Sequence, residues 1–245
     1  MKTHHQNKEL FLYTFTEFET LIARNLLTFE NRKQPAKISE QMQKVANEKN
    51  QRGYLNKFTQ DNSTSSNCPY KKFTNWTTNF IAKPNILLGR TGAVCPYVSR
   101  SIRKELFFCT IYSGSFSQDI VEEKLLQYAD WFLELEVGKT KETPLKTFAI
   151  LLDYPDIPER DISQFMTTIH TRLKPEFLSK RLMLGEFFPG HSKSSIWNKN
   201  FYPLSSPLPV FVIRYMIDID YSFLRNNPLY LSSYLKFFQD KISKN

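Results

Sequence analysis

The sequence predicts an α/β (α+β) fold, with a single mixed sheet of about four strands and helices packed on it. Three observations favour this fold. Short apolar runs have the length of buried strands, and amphipathic stretches with helical spacing alternate with them. The last two runs follow each other with no helix between them. The resulting order, β-α-β-α-β-β-α, indicates one mixed sheet.

Each element is predicted from its own pattern. Apolar runs place the strands at residues 106–112, 147–152, 182–188 and 210–216. Apolar residues three and four apart place the main helices at residues 117–136, 161–173 and 228–241. Ser117 is the expected N-cap of the first of these helices. Pro175 is expected to interrupt the second helix or to begin a further turn.

The first 70 residues are predicted to be a helical extension with a polar linker, and residues 76–245 the α/β domain. The extension contains a predicted helix at 9–30, a weakly periodic helical stretch at 37–58 and a polar segment at 61–67. The phenylalanine-rich face between Phe11 and Phe18 is expected either to pack on the domain or to form a homodimer contact.

Composition restricts the class of protein. The chain has 21 Phe and 12 Tyr among 41% hydrophobic residues, enough for a sizeable core. No apolar stretch approaches the roughly 18–20 residues that span a bilayer, and no signal peptide is apparent. Three cysteines suit reduced thiols, so we expect a cytoplasmic protein without a membrane partner. The net charge of +9 is spread along the chain, which indicates either a solvated basic surface or attraction of an anionic small ligand, rather than a nucleic-acid interface.

The segment Leu88–Pro96 is a first candidate site. Gly89 and Gly92 bracket Arg90, and Pro96 favours an extended Cys95. One interpretation is a structural turn with a buried, inert cysteine. The other makes Arg90 an anchor for an anion and Cys95 a thiolate, favoured by the nearby Arg103 and Arg100.

Two further segments contain candidate acid–base residues. His170 lies near the end of a predicted helix, where the helix dipole favours its charged form, so it is either a surface residue or part of a site. Glu186 interrupts an apolar strand and must be paired if it is buried. Arg214 is its expected partner, in a structural ion pair or in a substrate clamp.

Several kinds of site are excluded by their missing motifs. The chain has no Cys-x-x-Cys or His-x-x-x-His pair for structural zinc, and no Gly-x-Ser-x-Gly elbow. It also lacks a glycine-rich phosphate or dinucleotide fingerprint.

Four motifs together resemble a bacterial domain-of-unknown-function family, DUF6875, over about residues 76–225. They are Leu88-Gly89-Arg90-x-Gly92-x-Val94-Cys95-Pro96-Tyr97-Val98, His170-x-x-Leu173-Lys174-Pro175, Leu182-Met183-Leu184-Gly185-Glu186-Phe187, and Ser206-Pro207-x-Pro209 before Ile213-Arg214. The chain departs from the pattern at Phe188, where the family often has histidine, and at Tyr202 and Ser205, where it often has arginine.

The resemblance implies an enzyme of small-molecule (secondary-metabolite) biosynthesis. A fainter likeness in layout to bacterial haem-dependent N-oxygenases suggests oxidation of a nitrogen in an amino-acid-derived substrate. On that hypothesis His170 ligates haem iron, with Cys95 as the alternative ligand. Arg90 and Arg214 hold the substrate carboxylate and Glu186 orients its cationic end. The rival hypothesis is a non-catalytic module that binds an anionic metabolite through Arg90, Arg103 and Arg214.

Overall fold

One mixed sheet lies at the centre of the chain in its computed structural model, which describes residues 11–12, 69–104, 106–112, 114, 116–135, 143–153 and 159–242. The strands of this sheet are β1 (Phe11–Leu12), β2 (Phe107–Tyr112), β3 (Thr147–Leu152), β4 (Leu182–Phe187) and β5 (Val210–Tyr215). Their order across the sheet is β1-β2-β3-β5-β4. The first three run parallel, whereas β5 is antiparallel to both of its neighbours. The predicted mixed sheet is confirmed.

Helices surround this sheet. They are α1 (Pro69–Trp76, continued by a π-helical stretch at Thr77–Ile81), α2 (Val98–Arg103), α3 (Gln118–Glu134), α4 (Glu159–Ser179), α5 (Tyr221–Leu224) and α6 (Pro228–Ile242). The hydroxyl of Ser117 accepts a hydrogen bond from the Ile120 backbone N–H at 3.3 Å and so caps α3, as predicted. None of the helices in the described residues has both the length and the hydropathy needed to cross a membrane.

The two faces of the sheet carry different helices because side chains alternate along each strand. On one face α3 and α4 cover a core that includes Phe148, Leu184 and Phe211. On the other face α1 and α2 cover Cys109 and Val210 together with their neighbours. All six residues of β3 are buried, as expected of a central strand covered on both faces.

Pro175 does not end α4, and the predicted end near Leu173 is wrong. A proline inside a helix lacks one backbone donor and costs about 3 kcal/mol. Burial of the residues beyond the proline offsets this cost. Phe177 and Leu178 are 0% and 1% exposed and continue the apolar stripe of the helix. Tertiary burial therefore carries α4 through the proline to Ser179.

The predicted helix at residues 9–30 is wrong at Phe11 and Leu12. These two residues form β1 and pair in parallel with Phe108 and Cys109 of β2. The edge of a sheet has unpaired backbone N–H and C=O groups. A short segment that pairs with them forms backbone hydrogen bonds, as it would in a helix. The remainder of that predicted helix, the stretch at 37–58 and the linker at 61–67 lie outside the described residues.

The end of α3 is held by a buried cation. Lys146 is 1% exposed, and its ammonium group donates hydrogen bonds to the carbonyl oxygens of Phe132 and, at 2.6 Å, Leu135. Its Nζ also lies 4.4 Å from the centre of the Phe132 ring. The last carbonyls of a helix carry partial negative charge, so they compensate the buried ammonium.

The core makes a direct prediction. Phe211 is 0% exposed in the middle of the sheet, whereas Phe223 is 52% exposed on α5. Phe211→Ala should lower the free energy of unfolding by about 3–5 kcal/mol, because it removes buried apolar area and leaves a cavity. The matched change Phe223→Ala should alter it by less than about 0.5 kcal/mol. Urea denaturation of both variants measures the difference, and equal losses would contradict the assigned core.

Candidate functional site

The segment Leu88–Pro96 forms a closed turn. The guanidinium of Arg90 donates to the carbonyl oxygens of Thr91 at 2.9 Å and Val94 at 3.1 Å, so it braces its own loop. Gly89 has a φ of 79°, and a Cβ atom there would lie 2.9 Å from Trp197. Glycine is therefore required by both the backbone conformation and the close approach. These contacts favour the structural interpretation of the turn.

Cys95 and Arg103 lie away from the acid–base candidates. Cys95 is half-buried, packs against the core under α1 and α2, and donates its backbone N–H to Ile81 at 2.9 Å. Arg103 is exposed at the end of α2. Glu186 instead points to the opposite face of the sheet, so the predicted catalytic set is not brought together in full.

The predicted pair between Glu186 and Arg214 is wrong. In the β4–β5 register Arg214 faces Met183 and Glu186 faces Phe211, so the two charged side chains project from opposite faces. Arg214 instead pairs with Asp220 at 2.7 and 2.8 Å, and Asp220 also accepts from the Ile217 N–H at 2.9 Å. Burial lowers the pKa of Arg214, but the hydrogen bonds and charge of Asp220 outweigh it and raise the pKa overall.

Glu186 lies instead at the floor of a cavity with two histidines. His170 comes from α4, Glu186 from β4, and His191 from the loop that follows β4. The cavity has a volume of about 390 Å³. It is lined by Ser163, Thr167, His170, Thr171, Lys174, Glu186, Phe188, His191, Ser192, Lys193 and Tyr230. It therefore joins two of the predicted catalytic residues with polar groups that the sequence alone did not single out.

The hydrogen bonds fix how the two histidines face the carboxylate. Nε2 of His170 lies 3.0 Å from the carbonyl oxygen of Leu184, so this nitrogen carries a proton and Nδ1 faces Oε1 of Glu186 at 3.4 Å. Nδ1 of His191 accepts the Lys193 backbone N–H at 3.1 Å, so Nε2 is its protonated nitrogen and faces the same Oε1 at 3.7 Å. The second carboxylate oxygen, Oε2, is buried and has no hydrogen-bond partner among the described residues.

Burial and charge act in opposite directions on the pKa values of this group. Burial lowers the pKa of His170, and the nearby Glu186 carboxylate only partly offsets this effect. Burial raises the pKa of Glu186, but His191, His170 and Lys193 together outweigh it, so the pKa falls below its ordinary value. An ionised Glu186 beside a neutral His170 follows near neutral pH. One added proton would lie between Nδ1 and Oε1.

One protein-family model matches this chain. The model described as "Domain of unknown function (DUF6875)" matches residues 70–245, which is most of the chain. The chain belongs to this family. No match was found among curated proteins or among solved structures. The DUF6875 match begins within α1, whose Tyr70 and Phe73 are both buried in the core.

Two of the sequence segments on which the resemblance was based meet at the cavity. His170 and Lys174 belong to one of them and Glu186 to another, and all three line the same space. Phe188 also lines it and stacks on His191 with ring centres 4.3 Å apart. The Leu88–Pro96 motif is not part of this lining. The convergence favours the cavity as the working site.

A larger and more open depression lies elsewhere in this DUF6875 chain. Its volume is about 470 Å³, and its lining consists of Lys72, Asn75, Trp76, Asn79, Phe80, Ser205 and Pro207. None of these residues is a carboxylate, histidine or cysteine, so the lining offers its lysine and serine no acid–base partner that would activate them. We therefore take the smaller cavity around Glu186 as the candidate site.

His191, Lys174 and Lys193 were not among the predicted site residues. One signal was present in the sequence, because Ser163, Thr167, Thr171 and Lys174 recur at helical spacing beside His170 and form a polar stripe on α4. His191 and Lys193 lie in the irregular loop after β4, for which no periodic pattern exists. Within the described ranges, no group of three or more His, Cys, Asp or Glu side chains is placed to hold a metal ion.

The ion pair on the other face of the sheet gives a prediction about coupling. Arg214→Met should destabilise the fold by about 3–5 kcal/mol, because it leaves the buried carboxylate of Asp220 unpaired. The double variant Arg214→Met/Asp220→Asn should lose less unfolding free energy than the two single variants lose together, by about 0.5–3 kcal/mol, since the two residues share contacts. The double variant Arg214→Met/Glu186→Gln should lose the sum of its two single losses to within about 0.5 kcal/mol. Free energies of unfolding in urea test both cycles, and strong coupling to Glu186 would contradict the register.

The lowered pKa of His170 predicts a dependence of stability on pH. The unfolded chain takes up the His170 proton near the ordinary pKa of 6.5, before the folded chain does. This histidine therefore contributes stability that is fully present above that pH and is lost as the pH falls through the lower pKa of the folded state. His170→Gln should make the fall in unfolding free energy shallower between about pH 7 and pH 5. Parallel pH–urea series compare the two proteins, and an unchanged slope in the variant would refute the assignment.

Proposed function

We propose that this chain is a small-molecule enzyme of biosynthetic metabolism, and that its reaction is a proton transfer at Glu186 and His170. One observation carries the proposal. Two histidines and a carboxylate from three separate elements meet at the floor of a solvent-accessible cavity, although burying a charged group is costly without compensation. Buried titratable groups with shifted pKa values cluster at catalytic sites more often than elsewhere.

The hydrogen-bond pattern supports proton acceptance. The acceptors at the floor of the cavity are His170 Nδ1 and the Glu186 carboxylate, whose Oε2 atom is buried from solvent. His191 faces this carboxylate with its Nε2–H at 3.7 Å. A substrate whose acidic proton points at these acceptors matches the arrangement. The bond from that proton to the substrate breaks, a new bond forms to Nδ1 or to the carboxylate, and the electron pair stays on the substrate.

The Glu186 carboxylate has a second effect on this step. When His170 accepts a proton it becomes an imidazolium ion, and the carboxylate at 3.4 Å stabilises that charge. The Leu184 carbonyl keeps the ring in one orientation throughout, because Nε2 remains its donor in both protonation states. Return of the proton to a different atom of the substrate would complete an isomerisation, and its transfer to a group that departs with the electron pair of the broken bond would complete an elimination.

Haem ligation by His170 stays a prediction. Nε2 of His170 is held by the Leu184 carbonyl, so Nδ1, which faces Oε1 of Glu186 at 3.4 Å, is the nitrogen left to act either as a base or as a metal ligand. Cys95, the alternative ligand, packs on the other side of the sheet. The proposed proton transfer does not require an oxidative cofactor.

Solvent deuterium provides the test. Purified protein is incubated in D₂O with a cell extract of small metabolites, and mass spectrometry follows metabolites that are consumed, formed or deuterated on carbon. Glu186→Gln should reduce such turnover at least about 100-fold, because it removes the proton acceptor. Glu176→Gln is the matched control, since Glu176 lies on α4 outside the cavity and is 53% exposed.

The other outcomes separate the rival functions. Turnover that survives Glu186→Gln would contradict the proposed acceptor. Ligand binding without turnover in any variant would favour the non-catalytic binding module. A Soret band after expression with added haem, lost in His170→Ala, would favour the haem-dependent oxygenase.

A further inference from the structure

We infer that the ligand of this cavity carries an oxyanion, a phosphate or a carboxylate, which is held between Lys174 and Lys193. The inference rests on the proposed function only in placing the ligand in the same cavity. Lys174 lies one helical turn after His170 on α4, and Lys193 lies two residues after His191 in the loop. Both line the cavity together with Glu186.

The charges of the lining do not balance. Lys174 and Lys193 contribute two ammonium groups against the one carboxylate of Glu186, which is itself flanked by two histidines. Among the described residues, neither ammonium group has an ion-pair or hydrogen-bond partner. The Tyr230 ring, with its centre 4.8 Å from Nζ of Lys174, is the contact found there for that ammonium. An anion placed between the lysines would supply the missing negative charge.

The two lysines are close enough to repel each other. Burial lowers the pKa of Lys174, and the charge of Lys193 lowers it further. The Glu186 carboxylate raises this pKa, but its effect is smaller than that of Lys193. Such repulsion between like charges is relieved when an anion binds between them. The hydroxyl groups of Ser163, Thr167 and Thr171 add neutral donors on the same face of α4.

The carboxylate of Glu186 needs a different group. It lines the same cavity and is only 9% exposed, and its nearest nitrogens lie 3.4 and 3.7 Å away. A ligand that donates a hydrogen bond to this carboxylate and presents its oxyanion to the lysines would satisfy both groups. The ligand class is therefore a small metabolite with a phosphate or carboxylate at one end and a hydroxyl or amino group at the other.

Inorganic phosphate and acetate are the probes that test the oxyanion site and distinguish its two chemistries. Each is titrated into the full chain, and the shifts of the histidine ring protons in NMR spectra give the dissociation constant. Lys174→Met and Lys193→Met should each weaken binding at least about tenfold, because each removes a charge-assisted hydrogen bond. Lys199→Met is the control, since Lys199 is exposed and lies outside the cavity.

Glu186→Gln separates this inference from the proposed function. It should abolish turnover but keep or strengthen phosphate or acetate binding, because it removes a nearby negative charge. Tighter binding of phosphate would assign a phosphorylated ligand, and tighter binding of acetate a carboxylate. Binding of neither probe, or affinity unchanged in both lysine variants, would overturn the oxyanion site whatever the turnover shows.

Discussion

The antiparallel pairing of β5 with β4 decides where the polar groups of this protein lie. Side chains alternate between the faces of a strand, so a β4–β5 register shifted by one residue would place Glu186 and Arg214 on the same face of the sheet. The observed register places Phe211 opposite Glu186 and Met183 opposite Arg214. Glu186 and Arg214 consequently meet different partners on different faces.

Three buried charged residues of the described part of the chain, Asp220, Lys146 and Glu186, differ in how fully their charge is compensated. Asp220 has three donors within 2.9 Å, and Lys146 is held by carbonyl oxygens at the end of α3. Both arrangements fix structure, because hydrogen bonds repay the cost of burial. Glu186 differs, since its nearest nitrogens lie at 3.4 and 3.7 Å and its Oε2 has no partner in the described part of the chain. Such weak pairing does not stabilise the fold, so stability alone does not explain why Glu186 is buried.

The sequence predicted the sheet well and the partners of its charged residues poorly. All four predicted strands are present to within one residue at each end, because a buried strand must be a continuous apolar run. The Glu186–Arg214 pair failed because the long connection from 188 to 209 leaves the register free, and the strand patterns alone do not reveal it. The predicted end of α4 near Leu173 was wrong for a related reason, since burial of Phe177 outweighs the local cost of Pro175.

The difference between local sequence patterns and contacts made by the fold also explains which part of the candidate site was predictable. His170 and Glu186 could be chosen singly, because each is a polar residue in or beside an apolar pattern, yet only the fold brings them together. His191 and Lys193 lie in a loop without a periodic signal, and they reach the cavity because the loop turns back at Gly190, whose φ is 70°. The polar stripe on α4 then supplies Lys174 opposite them. The candidate site thus depends on where three elements meet, and the meeting of His170, Glu186 and His191 at that point favours the cavity over the closed turn at Leu88–Pro96 as the working site.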